Sequence, residues 1–282
     1  MLHIEIQTTP TKEKQGSMRT SLFHPPRHVD IKIRPAIQKN NLRAEEVWTY
    51  LVARKYENDH QALVSKLCGT NEELPEHSTI WLESYLFPTR TRNEEQNCWK
   101  IRSDMAIGHL ELALDRDHQI QSNGKWICIA ESKWFADIHD NSKYPEINQL
   151  SQIIDHALLL HDKNAHFPEK VYVTLITPNY FKEKLGKNSD RKYWEKFNEY
   201  KFEPEKLEKD LRLCPLPFLM HNVETLISRI KALSLCWVTF EELLELPNLV
   251  EDNIPGKHRV TKQSWKHIFS EMGADNLYNE LS

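Results

Sequence analysis

The sequence is poor in glycine and has no long apolar run, and these two absences narrow the class of protein. The chain has 282 residues with only 7 glycines, and it is 39% hydrophobic and 28% charged. This composition excludes fibrous and disordered classes and is typical of a folded protein with much helix. No stretch approaches the ~20 apolar residues of a membrane helix, and the start lacks the pattern of a secretory signal. We therefore expect a cytoplasmic protein with no membrane partner.

Several common functional motifs are also missing. The five cysteines are scattered and form no CxxC pair, which excludes a zinc ribbon and a disulfide framework. The patterns GxxxxGK[ST], GxGxxG and GxSxG do not occur, so P-loop, Rossmann and serine-hydrolase functions have no support. The net charge of −4 argues against a protein that coats nucleic acid through a basic excess. It still permits an enzyme that contacts a few phosphates through a local groove.

The hydrophobic pattern predicts alternating helices and strands in the first two thirds of the chain. Helical spacing runs over 44–67, and apolar stretches follow at 101–114 and 125–133. A helix is predicted to open at Pro145, and the β-branched run 171–177 predicts a buried strand. The order helix, strand, strand, helix, strand predicts an α/β fold with a mixed central sheet flanked by helices.

The pattern also divides the chain into three parts. Residues 1–41 are interpreted as an N-terminal extension, in which the alternation between Val29 and Ile33 indicates a strand. Residues 42–180 form the predicted core. Residues 181–282 are predicted to be a mainly helical C-terminal subdomain packed on that core, with one short strand near 235–240.

The strongest chemical signal is the pair Glu131 and Lys133, at the end of the apolar segment KWICIAESK. Residues two apart on a strand project to the same face. A carboxylate and an ammonium beside a covered core are unfavourable unless they pair or bind an ion. The [DE]xK pattern occurs four times in the chain. Only this occurrence lies at the end of a strand that is apolar on both faces. It is also the only one with an aspartate, Asp104, near the start of the preceding strand.

The order of these sequence segments resembles that of a known protein family. SDMAI, then AESK 27 residues later, then a helix with INQLSQ and the strand VYVTLIT, resembles the PD-(D/E)xK (restriction-endonuclease-like) nuclease superfamily. The resemblance covers roughly residues 44–177. Ser103 stands where the family motif has proline, and that proline has no chemical role.

The resemblance implies a restriction-endonuclease-like core and a set of site residues. Asp104 and Glu131 are the implied ligands of Mg²⁺ or Mn²⁺, and Lys133 is the implied residue that orients or polarises the attacking water. A glutamine of the next helix, Gln149 or else Gln152, is implied to assist. Carboxylate-held Mg²⁺ suits phosphodiester hydrolysis because it activates water and neutralises charge on the phosphate.

Two further acids are candidates for the neighbourhood of the metal. Glu46 lies in the first helix and shares a face with Tyr50, and many enzymes of the resembling superfamily carry a helix-one glutamate near the metal. Glu83, in WLESYLF, precedes Asp104 and can approach along a neighbouring strand.

The register of the two central strands decides whether the site forms. If Asn123-Gly124 were a two-residue hairpin turn, Glu131 would lie opposite Arg116 and far from Asp104. The site requires residues near 115–122 to form a loop or a bulge. In the hairpin alternative, Glu111 would replace Asp104 as the metal acid.

These observations predict a metal-dependent nuclease, with DNA as the favoured substrate. The first alternative is a catalytically inactive nuclease-fold subunit that binds nucleic acid or protein partners in a defence, repair or mobile-element complex. The second is a helical regulatory protein in which the motif is incidental. The sequence leaves open whether the chain acts alone, as a homodimer or in a larger complex.

Overall fold

A computed structural model describes most of the chain, in segments that are separated by short gaps. The described residues are 21–23, 28–69, 73–86, 90–91, 101–112, 119–138, 140–141, 144–162, 164–183, 192–213, 218–219, 223–254, 257–262 and 264–282. Much of the predicted N-terminal extension, including residues 1–20, therefore lies outside the described residues.

Twelve strands and eleven α-helices lie within the described residues. The strands are β1 Ser21–Phe23, β2 Thr79–Leu86, β3 Arg90–Thr91, β4 Arg102–Leu112, β5 Gln119–Ser132, β6 Asp140–Asn141, β7 Tyr144–Asn148, β8 Lys170–Thr177, β9 Phe218–Leu219, β10 Leu233–Thr239, β11 Val250–Ile254 and β12 Lys257–Val260. The helices are α1 Arg34–Gln38, α2 Glu45–Lys55, α3 His60–Cys68, α4 Gln149–Leu159, α5 Asn179–Glu183, α6 Lys192–Phe202, α7 Pro204–Arg212, α8 Val223–Ser228, α9 Phe240–Leu244, α10 Trp265–Glu271 and α11 Asp275–Leu281.

Six of the strands form one mixed sheet in the order β1-β2-β4-β5-β8-β10. Strands β2, β4 and β5 are antiparallel neighbours, whereas β5, β8 and β10 run parallel to one another. The predicted α/β fold with a mixed central sheet flanked by helices is confirmed. The C-terminal segment contributes β10 to the edge of this sheet, next to β8.

Strand β8 and the second half of β5 are buried along both faces because helices cover the sheet on both sides. On one face of β5, the Ser132 hydroxyl lies 2.8 Å from that of Thr49 on α2. On the other face, Glu131 bonds to Gln149 on α4. Strands that are covered on both faces have continuous apolar sequences. For this reason the sequence alone predicts buried strands over 125–133 and 171–177. No described helix has the length and apolar character needed to cross a membrane.

A bulge in the β4–β5 pair sets the register on which the site depends. The register shifts between Gly108 and Leu110, and Gly108 has a φ of +146°. A Cβ at Gly108 would lie 2.6 Å from the Trp126 carbonyl oxygen, and one at Gly124 would lie 2.4 Å from the His109 ring. Both glycines therefore let the strands approach closely at the bulge.

The bulge lies slightly further along the chain than residues 115–122, where the sequence predicts it. Its extra residues on β5 fall between Ser122 and Ile127, so Asn123-Gly124 belongs to the bulge and is not a hairpin turn. Residues 113–118, which connect the two strands, lie outside the described residues. Toward the other end of the pair Met105 faces Ala130, and the register therefore continues with Asp104 beside Glu131.

The segment between Val29 and Ile33 was predicted as a strand, and that prediction is wrong. Its residues form a single turn of π-helix that continues into α1. The buried residues are Ile33, Ala36 and Ile37, while Ile31 is 65% exposed. The buried positions thus follow a helical repeat, and the alternation of three apolar residues was too short to distinguish the two periods.

The long helix predicted over 44–67 is two helices. Helix α2 ends at Lys55, and Asp59 starts α3 by accepting a hydrogen bond of 3.0 Å from the Ala62 N–H. An N-cap of this kind satisfies a free amide at the start of a helix. Gly69 ends α3 with a φ of +64°, close to the end of the predicted helical spacing.

Helix α4 begins later than predicted. It starts at Gln149 and not at Pro145, because the Asn148 side chain caps it with a 3.0 Å hydrogen bond from the Ser151 N–H. The preceding residues pair with β6 as strand β7. This start places Gln149 in the first turn of α4, at the end that faces the site.

Candidate active site

Three acidic residues lie side by side on three neighbouring strands. The register of β2 against β4 places Glu83 beside Asp104, and the register of β4 against β5 places Asp104 beside Glu131. Directly opposed residues of antiparallel strands share a face, with Cβ atoms about 4.5–5.5 Å apart. The structure therefore forms one carboxylate row across the sheet, consisting of Glu83, Asp104 and Glu131.

The Glu131 carboxylate lies at the centre of a small buried network. Its Oε1 atom lies 2.8 Å from Lys133 Nζ and accepts a 2.6 Å hydrogen bond from Gln149 Nε2. Its Oε2 atom is buried without a hydrogen-bond partner among the described residues. Glu131 and Lys133 are 3% and 5% exposed, so a buried carboxylate is left with one oxygen free to accept a ligand.

Asp104 is held against the end of β5 by the backbone. Its Oδ2 atom accepts a 2.7 Å hydrogen bond from the Ser132 N–H. Burial raises the pKa of Asp104, and the Lys133 ammonium and this backbone bond oppose the rise. The hydrogen bond fixes one oxygen of Asp104 next to Glu131.

The buried charges strongly change the proton affinities of the site. Burial, reinforced by the charge of Asp104, raises the pKa of Glu131 to about 8. Burial alone would lower the pKa of Lys133, but the carboxylates of Glu131 and Asp104 outweigh it and raise that pKa above its ordinary value. Lys133 is therefore an ammonium group and acts as a hydrogen-bond donor.

The residues fit a hard divalent cation. A cation would relieve the repulsion between Asp104 and Glu131 and would give the free Glu131 oxygen a partner. Among the described residues, no three His, Cys, Asp or Glu side chains are grouped closely enough to hold a metal by themselves. Mg²⁺ does not need such a cage, because it commonly binds through one or two carboxylates together with water and substrate phosphate.

Glu45 is a site residue that the sequence reasoning missed. It is the first residue of α2, and its Oε1 atom accepts a 2.7 Å hydrogen bond from the N–H of Trp134, the residue after Lys133. Burial raises the pKa of Glu45, and the Lys133 ammonium opposes the rise. The available signal was helical spacing, since Thr49 lies one turn further on and bonds to Ser132.

No described hydrogen bond or ion pair joins the side chains of the other candidates, Glu46, Gln152 and Glu111, to this network. Glu46 is half-buried and its charge adds to the rise in the pKa of Asp104 and Glu83. Gln152 is half-buried, and no described contact joins its side chain to the network. Glu111 is exposed and bonds to Gln121 and Asn123 on the far side of the bulge, so it does not replace Asp104.

No protein-family model, curated protein or solved structure matches the chain. Within the chain, the structure brings together Asp104, Glu131, Lys133 and Gln149, and it adds Glu45 and Glu83 at the margins. The chemistry of this group is therefore argued from its own geometry.

Proposed function

We propose that the chain is a metal-dependent nuclease with a restriction-endonuclease-like core and a PD-(D/E)xK-type active site, acting on DNA in preference to RNA. One observation carries the proposal: a buried carboxylate with a free oxygen lies beside a second carboxylate and a protonated lysine. A purely structural ion pair does not require the second carboxylate, which makes the arrangement less stable.

In this proposal Asp104 and Glu131 hold one Mg²⁺ or Mn²⁺ ion. The ion, when bound, supplies a water of lowered pKa and neutralises charge on the phosphate. Both carboxylates are fixed before the ion arrives, Asp104 by the Ser132 N–H and Glu131 by Gln149 and Lys133. Such preorganisation reduces the reorganisation needed during the reaction.

Lys133 donates hydrogen bonds at the point of reaction. During hydrolysis a water oxygen forms a new bond to phosphorus, the bond to the leaving sugar oxygen breaks, and the water proton is transferred to solvent or to the leaving oxygen. An ammonium held at Glu131 can orient that water and stabilise negative charge on a non-bridging phosphate oxygen. The carboxylates of Glu131 and Asp104 raise the pKa of Lys133 in the metal-free protein, which suits a role as hydrogen-bond donor.

Gln149 positions Glu131. Its side-chain amide donates to Glu131 Oε1 at 2.6 Å, from the first turn of a helix that is anchored by the buried residues Leu150, Ile153 and Ile154. An amide can hold a carboxylate in one rotamer without adding charge. This role matches the assisting glutamine that the family resemblance implies.

The experiment is a cleavage assay with Mg²⁺ or Mn²⁺ on plasmid, linear duplex, single-stranded DNA and RNA. We expect cleavage of DNA that is abolished by EDTA and by Asp104→Ala. Thr261→Ala serves as a matched surface control, since Thr261 bonds only to the Asn248 carbonyl among the contacts described for its side chain. If the folded wild type binds no cation and cleaves none of these substrates, the inactive nuclease-fold subunit becomes the better account.

A further inference from the structure

A pair of cationic side chains lies at the outer end of the carboxylate row. Lys32 Nζ and Arg102 Nη1 lie 3.8 Å and 3.0 Å from Oε2 of Glu83. The Glu83 side chain is 5% exposed, whereas those of Lys32 and Arg102 are 37% and 40% exposed. A buried acid therefore anchors two cations that still face solvent.

Arg102 lies on the same face as the proposed metal site. It precedes Asp104 by two residues on β4, so the two side chains share a face and are about 6–7 Å apart along the strand. Burial raises the pKa of both Asp104 and Glu83, and the charge of Arg102 opposes the rise in each. The guanidinium is therefore close to both Glu83 and Asp104, at the same end of the β4–β5 pair as Lys133.

The backbone of Glu83 is strained in a way that fits an anchoring role. Glu83 has a φ of +52° within β2, a left-handed conformation that costs about 1 kcal/mol or more for a residue with a side chain. Glycine or asparagine would relieve this strain. The carboxylate at this position reaches both cations, which no uncharged residue could hold in the same way.

The two cations have N–H donors beyond those in their described contacts, and these can bind an anion. Arg102 has five N–H donors and its described contacts use only one nitrogen, on Glu83. Guanidinium and ammonium groups that are half-exposed beside a reaction centre are typical contacts to the phosphates of a nucleic acid strand. Lys32 and Arg102 carry two positive charges and share one ion-pair partner, Glu83.

We propose that Lys32 and Arg102, held in place by Glu83, bind the backbone phosphate that neighbours the scissile phosphate. The inference rests on the proposed function, because it takes a nucleic acid strand as the ligand. Glu83 is then a positioning residue for this phosphate subsite and not a ligand of the metal, since its charge is already balanced by the two cations.

The test is binding of a fluorescent 20-nucleotide single strand and the matching duplex, measured by anisotropy in Ca²⁺, with the probe checked on a gel for cleavage. We expect Arg102→Gln and Lys32→Gln each to weaken binding by about tenfold at low salt. Each should also reduce the slope of log K against log salt by about 0.7–0.9, as expected for loss of one phosphate contact.

The matched controls are Arg212→Gln and Lys66→Gln. Both residues have nearly the same exposure as their counterparts and pair with glutamates elsewhere, Arg212 with Glu224 and Lys66 with Glu245. We expect the controls to bind like the wild type. Equal loss in the controls, unchanged binding in Arg102→Gln and Lys32→Gln, or no binding by the wild type would each overturn the inference.

Glu83→Gln separates the anchoring role from metal binding. We expect this variant to bind the probe more weakly by about threefold and to keep the wild-type affinity for Mn²⁺. Loss of Mn²⁺ binding in Glu83→Gln would contradict the inference, because Glu83 would then be a metal ligand.

The two proposals fail in different ways. A wild type that cleaves DNA while Arg102→Gln binds and cleaves normally overturns the phosphate subsite and leaves the nuclease intact. A wild type that binds DNA through Arg102 and Lys32 without cleaving it supports the subsite and overturns the catalytic proposal.

Discussion

Two of the glutamates that are buried among the described residues have different surroundings, Glu131 in the candidate site and Glu241 at the start of α9. Glu241 is 8% exposed, and its two oxygens accept hydrogen bonds of 2.7 Å and 2.9 Å from the N–H groups of Asn179 and Leu249. Glu131 is buried to a similar extent, but one of its oxygens has no described partner and a second acid lies beside it.

The comparison shows which feature of a buried carboxylate indicates function. Burial raises the pKa of both groups; in Glu241 two backbone amides oppose the rise, whereas in Glu131 the charge of Asp104 adds to it. The Glu241 carboxylate links α9 to Asn179 and Leu249, and both of its oxygens already have a hydrogen-bond donor. The proposal of a ligand site at Glu131 therefore rests on the unmet acceptor and the neighbouring like charge, more than on burial itself.

The largest expected difference between the two glutamates is in cleavage. Glu131→Gln and Asp104→Ala should reduce the cleavage rate by about a thousandfold or more, because the ion loses an anionic ligand. Glu241→Gln should leave the rate unchanged but lower the free energy of unfolding by about 1–3 kcal/mol, because an amide nitrogen would then face a backbone N–H. Plasmid cleavage and urea unfolding of the same preparations check this, and a folded Asp104→Ala protein with the wild-type rate would contradict it.

Substitution of Lys133 should change the cleavage rate without changing the affinity for Mn²⁺. Lys133→Met should reduce cleavage by about a hundredfold or more, since a donor to the phosphate or the water is lost, but it should retain Mn²⁺ binding because an ammonium is not a ligand. Lys182→Met is the matched control, as Lys182 pairs with Glu242 near the other glutamate. A variant that loses Mn²⁺ affinity and cleavage together would mean that Lys133 is needed only to hold the carboxylates.

Much of the central fold was predictable because its pattern is local. The doubly apolar strands β5 and β8 and the same-face pair Glu131 and Lys133 follow from the two-residue repeat of a strand. The juxtaposition of Asp104 with Glu131 depends on a bulge at Gly108, which lies beyond any local pattern. Sequence spacing could favour the required register but could not place that bulge.

The parts that were missed depend on tertiary contacts. Glu45 was passed over in favour of Glu46 because the side of α2 that faces β5 is set by packing, with Thr49 against Ser132. The ion pairs of Glu83 join three segments that are distant in sequence. The helical turn before α1 was mistaken for a strand because three alternating apolar residues fit both repeats.

The raised pKa of Glu131 predicts how the metal-free protein responds to pH. With a folded value of about 8 against an ordinary value of 4.5, the folded state keeps a proton that the unfolded chain releases. Stability should therefore be highest below pH ~4.5 as far as this group is concerned, and should fall toward pH 8 by up to about 1.4 kcal/mol per pH unit. Urea unfolding in EDTA at several pH values should show a smaller fall for Glu131→Gln than for the wild type. Glu241→Gln should change the slope by less, because two backbone amides oppose the rise in the pKa of Glu241. An unchanged slope in Glu131→Gln would contradict the assigned cause.

The smallest expected effect tests the support behind Gln149. The Tyr200 hydroxyl accepts from Asn148 Nδ2 at 2.7 Å and donates to Asp210 at 2.5 Å, and Asn148 caps the helix that begins at Gln149. Tyr200→Phe should therefore lower the cleavage rate by about two- to fivefold through a less well-held Gln149, with unchanged Mn²⁺ affinity.

The control for this effect is Tyr56→Phe. Tyr56 donates a buried hydrogen bond of 2.8 Å to the Leu243 carbonyl, away from α4, so it matches the loss of one hydroxyl. Equal rates for the two variants at equal stability would remove Tyr200 from the support of the site.

The central claim is that Glu131 and Asp104 form a cation site, and calorimetric titration with Mn²⁺ near pH 7 tests it most directly. The account predicts that the wild type and Glu241→Gln bind Mn²⁺ with equal affinity. It also predicts that both release protons, seen as a heat that differs between buffers of different ionisation enthalpy, because Glu131 must lose its proton. Glu131→Gln and Asp104→Ala should bind at least about a hundredfold more weakly. Binding by Glu131→Gln at the wild-type affinity, or no binding by the folded wild type, would contradict the claim.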